Sequence, residues 1–220
     1  MRREIRIDLH IHSKYSDDGV LDPREIVRIA QQRGLNGVAI TDHNTIRGGE
    51  EARRHETDRF AVIVGAEIMT DRGEITGLFL SREVRARRWR DVIDDIKAQG
   101  GIVVVPHPFD LLRRSTFRFT DDLVGLADAV EGFNSRCVLQ RFNREALRFA
   151  DRHNLPVIAG SDAHLASEIG LGGVVTRSSD IREAIADNDL DLFGTRSPLL
   201  NHARTKACKL WQRATGRRMP

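Results

Sequence analysis

Short apolar runs recur along the chain, and each hands over to polar residues of types that bind metals or move protons. Gly37 to Thr41 leads into Asp42-His43-Asn44, and Phe60 to Val64 into Gly65-Ala66-Glu67. Ile102 to Val105 leads into Pro106-His107-Pro108, Ala129 to Phe133 into Asn134-Ser135-Arg136, and Pro156 to Ala159 into Gly160-Ser161-Asp162-Ala163-His164. Segments of helical spacing lie between them: Ile26, Val27, Ile29 and Ala30; Trp89, Val92, Ile93 and Ile96; Leu139, Phe142, Ala146, Phe149 and Ala150. An unbroken β-branched run such as Ile102 to Val105 suits a strand buried on both faces of a parallel sheet. Strands and helices alternating roughly seven times over predict an α/β fold with a parallel sheet and its helices outside. In a barrel of that class the strand carboxyl ends converge on one mouth, which places His10, His12, His43, Glu67, His107, Asp162 and His164 around a single pocket.

The first strand carries two of these residues. In Ile7-Asp8-Leu9-His10-Ile11-His12-Ser13 apolar and polar residues alternate, and side chains two apart share a strand face, so His10 and His12 project together. Paired imidazoles suit a divalent metal that prefers nitrogen ligands. Asp22-Pro23-Arg24-Glu25 then gives a helix its cap and first-turn proline, with Gly34 as its stop. A turn at Asp71-Arg72-Gly73 precedes a strand over Ile75 to Leu80, and Gly173 to Thr176 with a capped helix from about Ser179 closes the pattern. Gly170-Leu171-Gly172-Gly173 lacks the lysine of a phosphate loop and reads as a turn.

A chain of 220 residues fits one large domain, here 1–196, followed by a basic helix or tail over 197–220. Net charge is only +3, but Arg82, Arg85, Arg87, Arg88 and Arg90 cluster, as do Arg204, Lys206, Lys209, Arg213, Arg217 and Arg218. Leu200, Ala203, Ala207, Leu210 and Trp211 share one helical face in the tail, which predicts a helix docked on the barrel by that face. A basic arm for nucleic acid or an anionic membrane surface is the alternative. Cys137 and Cys208 form no Cys-x-x-Cys motif, and no run is long enough to be a signal peptide or to span a bilayer, so a reducing cytoplasm is expected.

Taken together, Asp8-Leu9-His10-Ile11-His12-Ser13 with Ser16-Asp17-Asp18-Gly19, then Ile40-Thr41-Asp42-His43-Asn44, Val105-Pro106-His107-Pro108 and Gly160-Ser161-Asp162-Ala163-His164 resemble, in order, the motifs of the PHP (polymerase and histidinol phosphatase) superfamily of metal-dependent phosphoesterases. The resemblance runs from Ile5 to about Phe193. It implies a distorted (β/α)7 barrel with a metal site at the carboxyl ends of its strands, holding two or three divalent ions (Zn, Mn or Fe). It further implies His10, His12, Glu67 and Asp162 around a first ion, Glu67 bridging to a second held by His107, and His43, His164 and an Asp around a third. Aligning Gly19, Leu21 and Pro23 with the family's Asp-Gly-x-Leu-x-Pro run favours Asp18 for that Asp, with Asp17 as runner-up. Several members offer a further histidine just after the strand that reads Val130 to Asn134 here, where this chain has Ser135, Arg136 and Cys137. The second ion is then held by Asn134, Cys137 or water, or is absent.

The activity implied is hydrolysis of a phosphate ester, in a small phosphomonoester or nucleotide, by a metal-bound hydroxide, with no side-chain nucleophile. Clustered divalent ions neutralise phosphoryl charge and bring the pKa of bound water to about 7. Arg136 is the residue expected to grip the substrate phosphate, with Arg113, Arg114 and Arg118 as a cationic rim. Asp42 is expected to orient His43. The alternatives are a nuclease acting on nucleic-acid ends, and a non-catalytic metal-binding regulatory module.

Overall fold

A computed structural model describes residues 4–215. The strands are β1 (Ile5–Ile11), β2 (Gly37–Ile40), β3 (Ala61–Thr70), β4 (Gly73–Leu78), β5 (Ile102–Val105), β6 (Ala129–Asn134), β7 (Val157–Gly160), β8 (Gly172–Thr176) and β9 (Asp191–Gly194). The helices are α1 (Pro23–Gln32), α2 (Arg47–Arg53), α3 (Trp89–Ala98), α4 (Gln140–His153), α5 (Ile181–Ala186) and α6 (Leu199–Thr215). Arg217 and Arg218 of the basic tail lie outside the described residues. Helix α1 starts as its sequence predicts: Asp22 accepts a hydrogen bond from the Arg24 amide, and Pro23 opens the first turn.

The strands form one sheet in the order β7-β6-β5-β4-β3-β2-β1-β8-β9. β1, β2 and β3 are mutually parallel, as are β5, β6 and β7. β4 runs antiparallel to both of its neighbours, and β8 and β9 are antiparallel additions beside β1. The sheet is therefore mixed, where the sequence pattern predicts a wholly parallel one. The turn after Thr70 is too short for a helical crossover, so β3 and β4 can pair only as a hairpin.

At the carboxyl ends the sheet comes close to closing into a barrel. Ile11 forms a parallel bridge with Ala163; the His12 amide donates to the Ala163 carbonyl at 2.9 Å, and the Asp162 amide to that of His10 at 2.8 Å. Asp8 reinforces this seam from full burial, accepting from the Ser161 and Gly170 amides and the Ser161 hydroxyl. Burial pushes its carboxyl pKa up to about 6, against the pull of those donors. Between Asp8 and Ile11 the pairing of β1 slips, and Leu9 and Ile11 end in different cores. Leu9 joins Ala39, Ile63, Leu78 and Val104, whereas Ile11 packs with Ile26, Val38 and Ile40 at α1.

Helix α6 docks in the opposite sense to that expected. Asn201, Thr205 and Cys208 are buried, while Leu199, Leu200 and Leu210 are about two-thirds exposed (66%, 60% and 66%). The surface beneath it is polar: Thr205 Oγ1 accepts from Arg136 Nη1 at 3.2 Å, and Lys209 Nζ lies 3.3 Å from Asp18 Oδ2. A leucine face there would leave those groups without partners, so the helix presents its polar stripe. Among the described residues no helix is long and apolar enough to cross a membrane.

Candidate metal centre

The strand ends place the expected histidines and carboxylates in one cluster. His12, Asp18, His43 and His164 each offer a ligand atom within 4.8 Å of the others, and the same holds for His10, His12 and Glu67 and for His43, Glu67 and Glu74. His10 and His12 bring their Nε2 atoms to 3.1 Å. Glu67 lies between the groups, with Oε1 3.0 Å from His107 Nε2 and Oε2 3.2 Å from His43 Nδ1 and 3.5 Å from His12 Nε2. Asp162 Oδ1 stands 3.4 Å from His12 Nε2. Asp18 Oδ1 faces His164 Nε2 at 3.3 Å and His43 Nε2 at 3.5 Å, whereas Asp17 is exposed and contacts Lys209.

Hydrogen bonds fix most of these rings from behind. His10 Nδ1 meets Glu131 Oε1 at 2.9 Å, and the other Glu131 oxygen accepts from the His107 amide at 2.8 Å. His12 Nδ1 meets Ser16 Oγ at 3.1 Å, and His164 Nδ1 meets the Asp162 carbonyl at 2.8 Å. Orienting a ligand imidazole through its second nitrogen is the usual arrangement at metal sites. Asp42 does not take the part expected of it. Its carboxylate accepts from Ser13 N and Oγ, both at 2.6 Å, and from Ser16 Oγ at 3.0 Å, so it steadies the turn that carries His12 and touches His43 only through Ser16. His107 and Asp162 both adopt left-handed backbone conformations, with φ of 31° and 55°, a strain that collects at functional sites.

The electrostatics suit cations. Burial, then the neighbouring His164 and His43, bring the His12 pKa down to about 3, leaving the neutral imidazole that a metal requires. Burial alone would raise the Asp162 carboxyl, but Arg113 and His10 outweigh it and hold it well below the usual range. Buried Asp18 Oδ1 and Asp162 Oδ1 accept no hydrogen bond among the described residues, though both face imidazole nitrogens. Orphaned carboxylate oxygens beside imidazole nitrogens are the donor set a divalent ion would satisfy.

At the cluster opens a cavity of about 660 Å³, lined by Arg113, Arg114 and Arg136 and by His202, Lys206 and Lys209 of α6. Arg136 is buried, with Nη1 2.9 Å from both Glu168 oxygens, so its charge is shared with a fixed partner rather than held free for a ligand. Arg113 reaches deeper: its Nη2 is 2.6 Å from Asp162 Oδ2 and its Nε 3.1 Å from Asp110 Oδ2. Glu131, Arg113 and Glu74 carry contacts that the linear reading missed. Glu131 interrupts an apolar strand and Glu74 stands just before one, and those are their only local signals.

Cys137 is buried in the loop after β6, where burial pushes its thiol pKa well above that of a free cysteine. The thiolate, which is the form that reacts, is scarce near neutral pH. In chelator-treated native protein, iodoacetamide is therefore expected to leave Cys137 unmodified and to label it fully only in denaturant. Peptide mass mapping checks this, and native labelling at the rate of a free thiol would refute it.

The fold and the site define an α/β protein whose barrel-like sheet gathers histidines and carboxylates suited to divalent ions. Residues 140–188 match the family model described as PHP-associated. Two uncharacterized proteins of Methanocaldococcus jannaschii are similar: one is 41% identical over 60% of this chain and 82% of its own length, the other 34% identical over 76% and 68%. A 5'-3' exoribonuclease of Haemophilus influenzae is 43% identical over 67 residues, 30% of this chain and 24% of that protein. Among solved structures, a two-domain protein of Bacteroides vulgatus containing a predicted PHP-like metal-dependent phosphoesterase superposes with a TM-score of 0.73 at 22% identity, over 88% of this chain and 65% of that one. An amidohydrolase of Chromobacterium violaceum, solved with sulfate and without metal, gives a TM-score of 0.61 at 17% identity, over 83% and 96%. Over residues 140–188 the chain thus carries a PHP-associated segment, and its fold is shared with PHP-like proteins.

Proposed function

We propose that this protein is a metal-dependent phosphoesterase that hydrolyses a phosphate ester of a small molecule or nucleotide. The observation that carries the reading is the buried ring of imidazole nitrogens around Asp18 Oδ1 and Asp162 Oδ1, two anionic oxygens without hydrogen-bond partners among the described residues. His10, His12, Asp18, His43, Glu67, His107, Asp162 and His164 would hold divalent ions. Bound there, such ions neutralise phosphoryl charge and supply an acidified water as nucleophile. The chain's own part is to fix and dehydrate that floor. Glu131, Ser16 and the Asp162 carbonyl orient three of the rings, and the burial of the cluster keeps bulk water from screening its charges.

Arg113, Arg114 and Arg136 line the cavity over that floor, where guanidinium groups match the geometry of phosphoryl oxygens. Arg136 is set in place by Glu168 and Arg113 by Asp162, so in this reading both add field at the phosphate from fixed positions.

The 67-residue similarity to an exoribonuclease favours a second reading, in which the ester lies at a nucleic-acid end and basic α6 helps to hold the polymer. Assays of an aryl phosphate and a short oligonucleotide, with manganese and with zinc at rising salt, test both. Small-ester turnover that salt barely changes supports the first. Oligonucleotide affinity falling steeply with salt supports the second, because polyanion binding releases counterions. A protein that binds either metal yet cleaves neither substrate is a non-catalytic module, which would overturn the proposal.

A further inference from the structure

We propose that Glu74 is itself a metal ligand, completing with Glu67 and His107 a second cation position built from β3 and β4. The inference rests on the metal-site reading above and extends it to a residue that no motif of the chain includes. Glu74 is buried, with Oε2 3.8 Å from His107 Nε2 and Oε1 3.8 Å from His43 Nδ1. Glu67 faces the same two imidazoles at 3.0 and 3.2 Å, so two carboxylates share one pair of rings. Neither forms an ion pair with a lysine or arginine among the described residues, and two buried like charges at this separation call for a proton or a cation between them.

The loop after β6 offers no histidine or carboxylate to an ion there. Residues 135–137 after β6 are serine, arginine and cysteine, and Arg136 is turned to Glu168. Arg113 Nη2 sits 2.6 Å from Asp162 Oδ2 and 3.4 Å from Asn134 Oδ1, a fixed positive charge on that side that would repel a nearby ion. An ion next to His107 therefore finds its carboxylates on the hairpin side. The hairpin is built to deliver them: β4 pairs with β3 from Gly65 to Thr70, with Glu74 opposite Met69, and the Glu74 amide is tied to the Ser115 carbonyl at 2.8 Å.

The test is metal content and affinity in the whole chain. Wild type, Glu74→Gln and Glu74→Asp are stripped with chelator, titrated with manganese by calorimetry, and counted by elemental analysis at saturation. Because loss of a partner that only orients a ligand costs about 10–100-fold in affinity, loss of a ligand is expected to weaken one ion by about 100-fold or more. Glu74→Gln should hold one ion fewer than wild type at micromolar free manganese, with Glu74→Asp in between. In metal-free protein the neutral Glu74→Gln should melt no lower than wild type, because it removes a crowded buried charge, and this separates ligand loss from misfolding. Both variants filling as many sites as wild type with unchanged affinity would overturn the inference and leave the wider reading standing. A wild type that binds no manganese or zinc would overturn both.

Discussion

Replacing His12 by alanine is expected to lower the turnover of an aryl phosphate by at least about 1,000-fold, roughly 4 kcal/mol of barrier. His12 belongs to two of the three ligand groups, and its Nε2 lies 3.1 Å from His10 Nε2, 3.4 Å from Asp162 and 3.5 Å from Glu67. Truncation would remove a donor from two cation positions at once. The ring is fully buried and, with its pKa near 3, neutral at any working pH, so its loss strips no charge from the fold and leaves a cavity one imidazole in size. Steady-state kinetics with manganese, beside near-ultraviolet circular dichroism as a check on folding, measure the effect. Asp162→Ala should be as severe and should also weaken the fold, since it abandons the Arg113 guanidinium held at 2.6 Å. Unchanged turnover in His12→Ala would reject the metal assignment.

Gly160→Ala is expected to destabilise the chain by about 3 kcal/mol or more, at the upper end of what overpacking costs. A Cβ at Gly160 would stand 2.3 Å from His10 Cβ and 2.8 Å from the His10 amide nitrogen, closer than real carbon atoms approach. The obstruction is backbone and Cβ, which no rotamer change relieves. β7 lies against β1 at this point because, two and three residues on from Gly160, the Asp162 amide donates to the His10 carbonyl and the Ala163 carbonyl accepts from the His12 amide. Parting the strands would carry His10 away from Asp162, so metal affinity should fall together with stability. Urea unfolding of metal-free protein reads the first effect and manganese titration the second. A variant as stable as wild type would show that the seam is looser than these distances describe.

Much of this could be read before any coordinates. Strand positions followed from apolar runs because a parallel strand buried on both faces has little choice of residue, and β2, β5, β6 and β7 all fall where those runs lie, with β1 marked by its alternation. Helix α1 was announced by its cap and proline. The structure brings together the eight residues His10, His12, Asp18, His43, Glu67, His107, Asp162 and His164, each of which follows a strand or belongs to a motif.

What escaped was set by pairing and not by local pattern. Whether β4 runs with or against its neighbours depends on the turn at Asp71 to Gly73, and that choice alone carries Glu74 to the face of Glu67. Glu131 looks like a stray charge in a strand until the fold places it between His10 and His107. Arg136 and Arg113 could not be ranked from sequence, because a guanidinium's task depends on which carboxylate reaches it first: Glu168 for one, Asp162 for the other. The docking of α6 misled for a related reason. Its leucine stripe predicts an apolar contact, but the surface it meets is polar, so the stripe is left facing solvent.

The sequence by itself determined which residue types stand at the ends of which strands, since hydrophobic burial and ligand chemistry each restrict a position locally. Only the tertiary structure decided which of those residues meet. Contacts at about 3 Å between residues more than 100 positions apart, such as His10 with Glu131 and Asp8 with Ser161, depend on strand order and register, which no stretch of sequence carries alone.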